Sequence, residues 1–206
     1  MTTYTEKILK DITEVMTPSE IEEYFNNKCY LSKSEFGELI NNLIVSFSND
    51  TLKTVFSSKK FKEFSDCTNE YGEPMVHAIL YAVKAICESD EIDEIHKLHF
   101  KESMINILLD EAFPFQWRMT DYYEANNPFH IISAMTDWLT VDELNKFIDK
   151  LLSKGINPLN RNYEEKTAIE ILMESSLDET EKNKIISNLA QESDKFIIEI
   201  SENCYD

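Results

Sequence analysis

Four histidines and four cysteines have the widest chemical reach in this 206-residue chain, and their spacing limits what they can do. His96 and His99 lie three apart in "ESDEIDEIHKLHF". A helix would put both on one face with Glu94 or Glu102 nearby, a set able to hold a divalent cation. No HExxH, no HxE with CxxC and no DxDxDG loop accompanies them, so a solvated helix with outward charges is the better reading. Cys67 stands beside Asp66 and ten residues before His77, but a Cys–His pair needs contact in space, which spacing does not establish. Nucleophile elbows, Walker loops and GxGxxG turns are missing, and three glycines leave little material for a phosphate cradle. No catalytic residue, metal or cofactor is assigned, and the chain is expected not to be an enzyme.

Composition narrows the partners. There are 39 acidic residues against 20 basic ones, a formal charge of −19. Such a surface repels phosphate backbones, so direct nucleic-acid binding is not expected, whereas a protein with a basic surface would be attracted. Mimicry of DNA's charge is a further use of the same property, and plain solubility is the bland one. Cys29, Cys67, Cys87 and Cys204 show no CxxC pair and read as buried or incidental thiols of a reducing compartment. The N-terminus has no apolar h-region, and no stretch approaches the length of a membrane span. The expectation is a cytoplasmic, monomeric protein with no membrane insertion.

Positioning falls to helices. Hydrophobic residues make up 42% of the chain, while only 3 Gly and 5 Pro leave too few turns for an all-β fold. Apolar residues at three-and-four spacing recur almost throughout. Residues 4–16 place Ile8, Leu9, Ile12, Val15 and Met16 on one face. After Thr17-Pro18, Ser19 and Glu22 stand at capping-box spacing before Tyr24 and Phe25. "SKSEFGELINNLIVSF", with Phe36 through Phe47, and "TLKTVFSSKKFKEF" each read as one amphipathic segment, with Asn49-Asp50 as punctuation between them.

Beyond residue 65 a pattern returns. "NEYGEPMVHAIL", "EANNPFHIISAM" and "YEEKTAIEILME" align so that Met75, Pro128 and Ala168 share a column, then Val76, Phe129 and Ile169, then His77, His130 and Glu170. A second helical pattern follows each of the first two, ending in "ILLDEAFPF" or "KLLSKGINP". These units resemble ankyrin repeats. "SKGINPLNRNYEEKTAIEIL" matches that family's inter-repeat junction at Gly155, Asn157, Pro158, Asn160, Thr167 and Ala168. The columns recur after 53 and then 40 residues, against a usual period of about 33, so insertions are expected within the helix pairs, around "AVKAICESDEIDEIHKLH" and "MTDWLTVDELN". Glu165 and Ala125 occupy positions where the family commonly has Gly.

The resemblance implies an all-α, ankyrin-like solenoid of stacked helix pairs over residues 66–192. Residues 1–65 would form an N-terminal helical extension, as a cap or as degenerate repeats, and residues 193–206 an acidic tail, which could cap the stack or serve as an export signal. His77, Pro128, His130, Gly155, Pro158 and Thr167 are its structural positions, with histidines bonding neighbouring units and Thr167 capping its helix. Leu108-Leu109 and Leu151-Leu152 would fill the space between layers. One unit cannot bury its apolar face alone, so neighbours must complete the core.

The same resemblance implies protein binding through loop tips and a concave face. The loop "FPFQWRMTDYYEANNP" is longer than the junction at 155–168 and rich in residue types that dominate interfaces. Phe113 and Phe115 are assigned to the core. Trp117, Arg118, Tyr122 and Tyr123 are binding candidates, joined at neighbouring tips by Tyr71 and Glu73, and by Arg161, Asn162 and Tyr163. Abundant Lys, Asn and Ile suit an AT-rich genome. The favoured expectation is a bacterial or viral effector acting on a host or foreign protein, translocated in that case into a host cell. The alternative is an immunity protein or inhibitor that neutralises a basic toxin or nuclease.

Overall fold

The computed structural model describes residues 4–46, 49–187 and 189. Phe47, Cys204 and the tail 193–206 lie outside them. The chain is all-helical: among the described residues there is no strand, and Thr68 and Pro74 form an isolated antiparallel bridge. Two compact units divide at Gln116 and Trp117. The expected boundary at residue 65 falls inside the first of these units. The helices read as an extension share one unit with those that follow.

That first unit contains α1 (Tyr4–Glu14), α2 (Pro18–Glu23), α3 (Lys33–Val45), α4 (Asn49–Ser57), α5 (Lys59–Glu63), α6 (Met75–Glu88) and α7 (Glu94–Leu109). A π-helical turn, Tyr24–Lys28, continues α2. Short polar side chains set most of the starts. Thr17, not Ser19, caps α2: its hydroxyl accepts from Glu20 N–H, and the Glu20 carboxylate accepts from Thr17 N–H at 2.8 Å. The reason is Pro18, which has no N–H to offer and fits the first helical position, so the cap falls two residues earlier than Ser19. Ser32 and Glu35 form the same reciprocal pair at α3. Ser58 caps α5 through Phe61 N–H and so splits a segment expected to be continuous. Asn49-Asp50 begins α4 rather than interrupting the chain. Val15 also departs from expectation: α1 ends at Glu14, and the residue beyond it faces solvent.

The core of this unit is aromatic. Phe36 lies 5.8 Å from Phe25 edge-to-face, and Phe56 lies 4.6 Å from Phe61. Phe115 closes on Phe56 and Phe61 at 5.1 and 5.6 Å, with Phe113 beside Phe56, as expected for the "FPF" residues. Edge-to-face pairs of this kind add about 0.5–1.5 kcal/mol each beyond burial. α3 packs on α1, α4 and α6, and buries Phe36, Gly37, Leu39, Ile40, Leu43 and Ile44.

The second unit contains α8 (Pro128–Ser133), α9 (Val141–Ser153), α10 (Ala168–Met173) and a helical stretch over 179–187. Asp178 caps that stretch by accepting from Thr180 and Glu181 N–H. α8 packs against both α9 and α10. Helices α6, α8 and α10 begin at Met75, Pro128 and Ala168, the three residues of one sequence column. Unequal spacing has a simple origin: α6 has 14 residues where α8 and α10 have 6 each, so most of the extra length near "AVKAICESDEIDEIHKLH" is helix. Leu108 and Leu151 are fully buried, and Leu109 and Leu152 are half-buried.

Gly37 marks the tightest approach in the first unit. A Cβ there would meet the Thr68 carbonyl oxygen at 1.8 Å, and that partner is backbone. Gly37→Ala is therefore expected to cost about 3 kcal/mol or more of stability despite alanine's better helix propensity. Urea denaturation of the variant should show the midpoint falling with little change in slope.

Candidate protein-binding loops

Three loops lead into α6, α8 and α10, and one construction recurs in them. Each starts from an Asn or Asp whose N–H donates to the carbonyl of the residue just before the helix cap. The pairs are Asn69 to Glu73, Asp121 to Asn126 and Asn162 to Lys166, all at 3.0 Å. The side chain then closes the loop from inside. Asn69 Oδ1 accepts from Tyr71 and Glu73 N–H, and Asn162 Oδ1 from Glu164 and Lys166 N–H, while Asp121 Oδ1 accepts from Glu124 N–H at 2.7 Å. Two residues before each cap the backbone turns left-handed: Gly72, Ala125 and Glu165 have φ of 76°, 54° and 59°. These are the positions at which glycine was expected. Only the first has it, so Ala125 and Glu165 hold a conformation that is unfavourable for a side-chain-bearing residue.

The helix starts repeat as well. Pro74, Asn127 and Thr167 are the cap residues. Thr167 accepts from Glu170 N–H, and the Glu170 carboxylate accepts from Thr167 N–H at 2.6 Å, which together with the Thr167 hydroxyl and Arg161 holds it below the usual carboxylate range. His130 plays the glutamate's part at α8. Its Nδ1 accepts from Asn127 N–H at 3.0 Å, so this nitrogen is unprotonated. Its Nε2 therefore carries the hydrogen, shared between the carbonyls of Asn160 at 2.9 Å and Lys166 at 3.2 Å in the next loop. One neutral imidazole thus caps its own helix and ties α8 to the loop entering α10. His77 is fully buried in the same column of the first unit, 6.4 Å from the Tyr81 ring.

Gly155 and Pro158 serve the junction. At the end of α9, Gly155 N–H donates to Leu152 O and Ile156 N–H to Leu151 O, a Schellman ending that needs the positive φ of 69° seen at Gly155. Ile156 and Pro158 are buried beneath it. Arg118 Nε donates to the Lys154 carbonyl at 2.9 Å, and a Cβ on Gly155 would lie 2.7 Å from the same guanidinium.

These contacts sort the binding candidates. Trp117 is a correction: it is 4% exposed and lies under the Lys150 ammonium, 5.9 Å from its ring centroid, so it packs on α9 instead of meeting a partner. Asn162 is a second one, buried because its amide closes its own loop and donates to Asn126 Oδ1 at 3.0 Å. Arg118 is exposed but its guanidinium serves the α9 ending. Arg161 donates to the Glu165 carbonyl and pairs with Glu170 at 3.2 Å. Glu73 is half-buried and accepts from Asn69 Nδ2 at 2.7 Å. The tyrosines remain at the surface. Tyr122 is 76% exposed, Tyr123 64% and Tyr163 71%, and Tyr71 is exposed on its own tip in the first unit. Tyr122 and Tyr123 stand 5.5 Å apart with rings at 87°. Tyr163 N–H donates to the Glu124 carbonyl at 2.8 Å, which joins the two tips of the second unit.

The groups with chemical reach sit apart. Burial, the largest influence, raises the Cys67 thiol to about 12, so it remains protonated packing material at neutral pH. His96 Nδ1 meets Asp93 Oδ2 at 2.5 Å at the exposed start of α7, where Asp93 also accepts from His96 and Ile95 N–H as the helix cap. Among the described residues no three His, Cys, Asp or Glu gather as a metal would require. The Asx residues at 69 and 121 were not singled out in the sequence. Their signal is weak, an Asn or Asp five or six residues before a helix cap.

Burial, against smaller opposing effects of the Asn160, Lys166 and Asn127 backbone groups and of Asp121, lowers the His130 pKa below its ordinary value near 6.5. The unfolded chain then binds more protons just below that value, so His130's contribution is complete above about pH 6.5 and is lost as pH falls. Urea denaturation between about pH 5 and 8 should show wild type losing stability on acidification with an extra slope of at most about 1.4 kcal/mol per pH unit, absent from His130→Gln. Glu165→Gly should raise stability by roughly 0.5–1 kcal/mol, as relief of the left-handed backbone outweighs added chain entropy; thermal melts will register it.

No family model matches the chain, and no curated protein or solved structure matches it at a significant level.

Proposed function

We propose that this chain is a non-enzymatic protein-binding module of irregular ankyrin-like units, which engages its partner through tyrosines at its loop tips. The observation that carries this reading is the exposure of Tyr122, Tyr123 and Tyr163 on loops closed by the Asp121–Asn126 and Asn162–Lys166 backbone bonds. A tyrosine on a held loop offers large contact area at small entropic cost, which is why this residue type is enriched at binding surfaces. Support for stacked units comes from the α8–α10 packing and from the reach of His130 into the following loop.

Within this class the composition favours an effector acting on a host or foreign protein. A second reading has one observation behind it: a charge of −19 would speed association with a cationic toxin or nuclease, as an immunity protein requires.

Affinity capture from candidate host or toxin-producing cells is the test, comparing wild type with Tyr122→Ala/Tyr123→Ala/Tyr163→Ala. Tyr30→Ala, which removes another exposed tyrosine in the first unit, is the control. Capture should fall about tenfold in the triple variant, by the hot-spot scale, and stay unchanged in the control. Equal capture by the triple variant overturns the reading.

A further inference from the structure

We infer that the two joined tips of the second unit, Tyr122–Glu124 and Tyr163–Glu165, receive a lysine- or arginine-rich segment of the partner. This rests on the protein-binding reading above and adds the chemistry of what is bound. The tips combine aromatic rings and carboxylates: Tyr122, Tyr123, Glu124 on one, Tyr163, Glu164, Glu165 on the other, and all six residues are exposed. The perpendicular rings of Tyr122 and Tyr123 present two faces in different directions, and an ammonium or guanidinium is attracted to such a face. The Tyr163–Glu124 backbone bond keeps the second tip against the first, so both sets of groups act on one segment.

Charge selects the occupant. The loops 121–126 and 162–166 hold Asp121, Glu124, Glu164 and Glu165 against Lys166 alone. Lys166 is already paired with Glu174 at 2.7 Å, and neighbouring Arg161 with Glu170. The field at the tips is therefore negative, and the bases that could offset it are engaged along α10. A second copy of this chain would bring its own carboxylates against these, and a nucleic acid its phosphates. A cationic segment meets both features at once, with rings for its ammonium or guanidinium groups and carboxylates beside them.

The test uses a labelled peptide of alternating Lys and Gly, with a Glu-for-Lys counterpart, followed by fluorescence anisotropy on the full chain. The Lys peptide should bind wild type and Tyr30→Ala equally. It should bind Tyr122→Ala/Tyr123→Ala/Tyr163→Ala about tenfold more weakly, although that variant has unchanged net charge. Glu124→Gln/Glu164→Gln should weaken it too, most at low ionic strength. The Glu peptide should not bind. Equal affinity for wild type and the tyrosine variant would assign binding to diffuse attraction by a chain of charge −19 and overturn the inference, as would absence of binding. Tyrosine-dependent capture of a partner that the Lys peptide fails to displace would also overturn it, while leaving the broader reading in place.

Discussion

The second unit depends on a buried neutral imidazole. His130 has one nitrogen turned to the backbone of its own helix start and the other to two carbonyls of the next loop. Each contact requires a particular ring nitrogen to hold or lack a hydrogen, and only one tautomer meets both. The Lys166 carbonyl also accepts from Asn162 N–H, so the imidazole adds a second donor there and reaches the Asn160 carbonyl besides. Around it, Asn127, Asn126 and Asn162 complete a polar seam between two short helices. α8 and α10 have only 6 residues each, well short of the length at which a helix persists unaided.

A seam of this kind frees the loop tips for another task. Asn69, Asp121 and Asn162 close the loops from within, and exposed tyrosines occupy the tips of all three. Exposed tyrosines on a fixed frame contrast with Trp117 and Arg118, which have the composition of a binding site but are used up in forming the start of the second unit and the end of α9. Residue type alone does not separate these cases. The difference lies in whether the backbone places a side chain over another helix or past the last hydrogen bond of a loop.

The first unit rests on a different principle. Its phenylalanines assemble one aromatic core, and Gly37 lets α3 approach the Thr68 carbonyl closer than any side chain would permit. The polar residues there mainly cap helices. Lowered carboxyl groups at Glu35, held by the Ser32 side chain and backbone, and at Glu20, held by the Thr17 backbone and side chain, mark two of those starts.

The sequence by itself determined the helical character and the shared register of Met75, Pro128 and Ala168. Both follow from local chemistry: apolar period and capping residues. Local chemistry also misled where two candidates competed, as at Thr17 and Ser19, until the missing N–H of Pro18 is considered. Tertiary structure alone decided that the chain divides near Gln116, that Trp117 and Asn162 are interior, and that Tyr122, Tyr123 and Tyr163 face solvent. Those outcomes depend on which distant segment covers a side chain, and coverage arises from packing between elements far apart in the chain, which no spacing along it encodes.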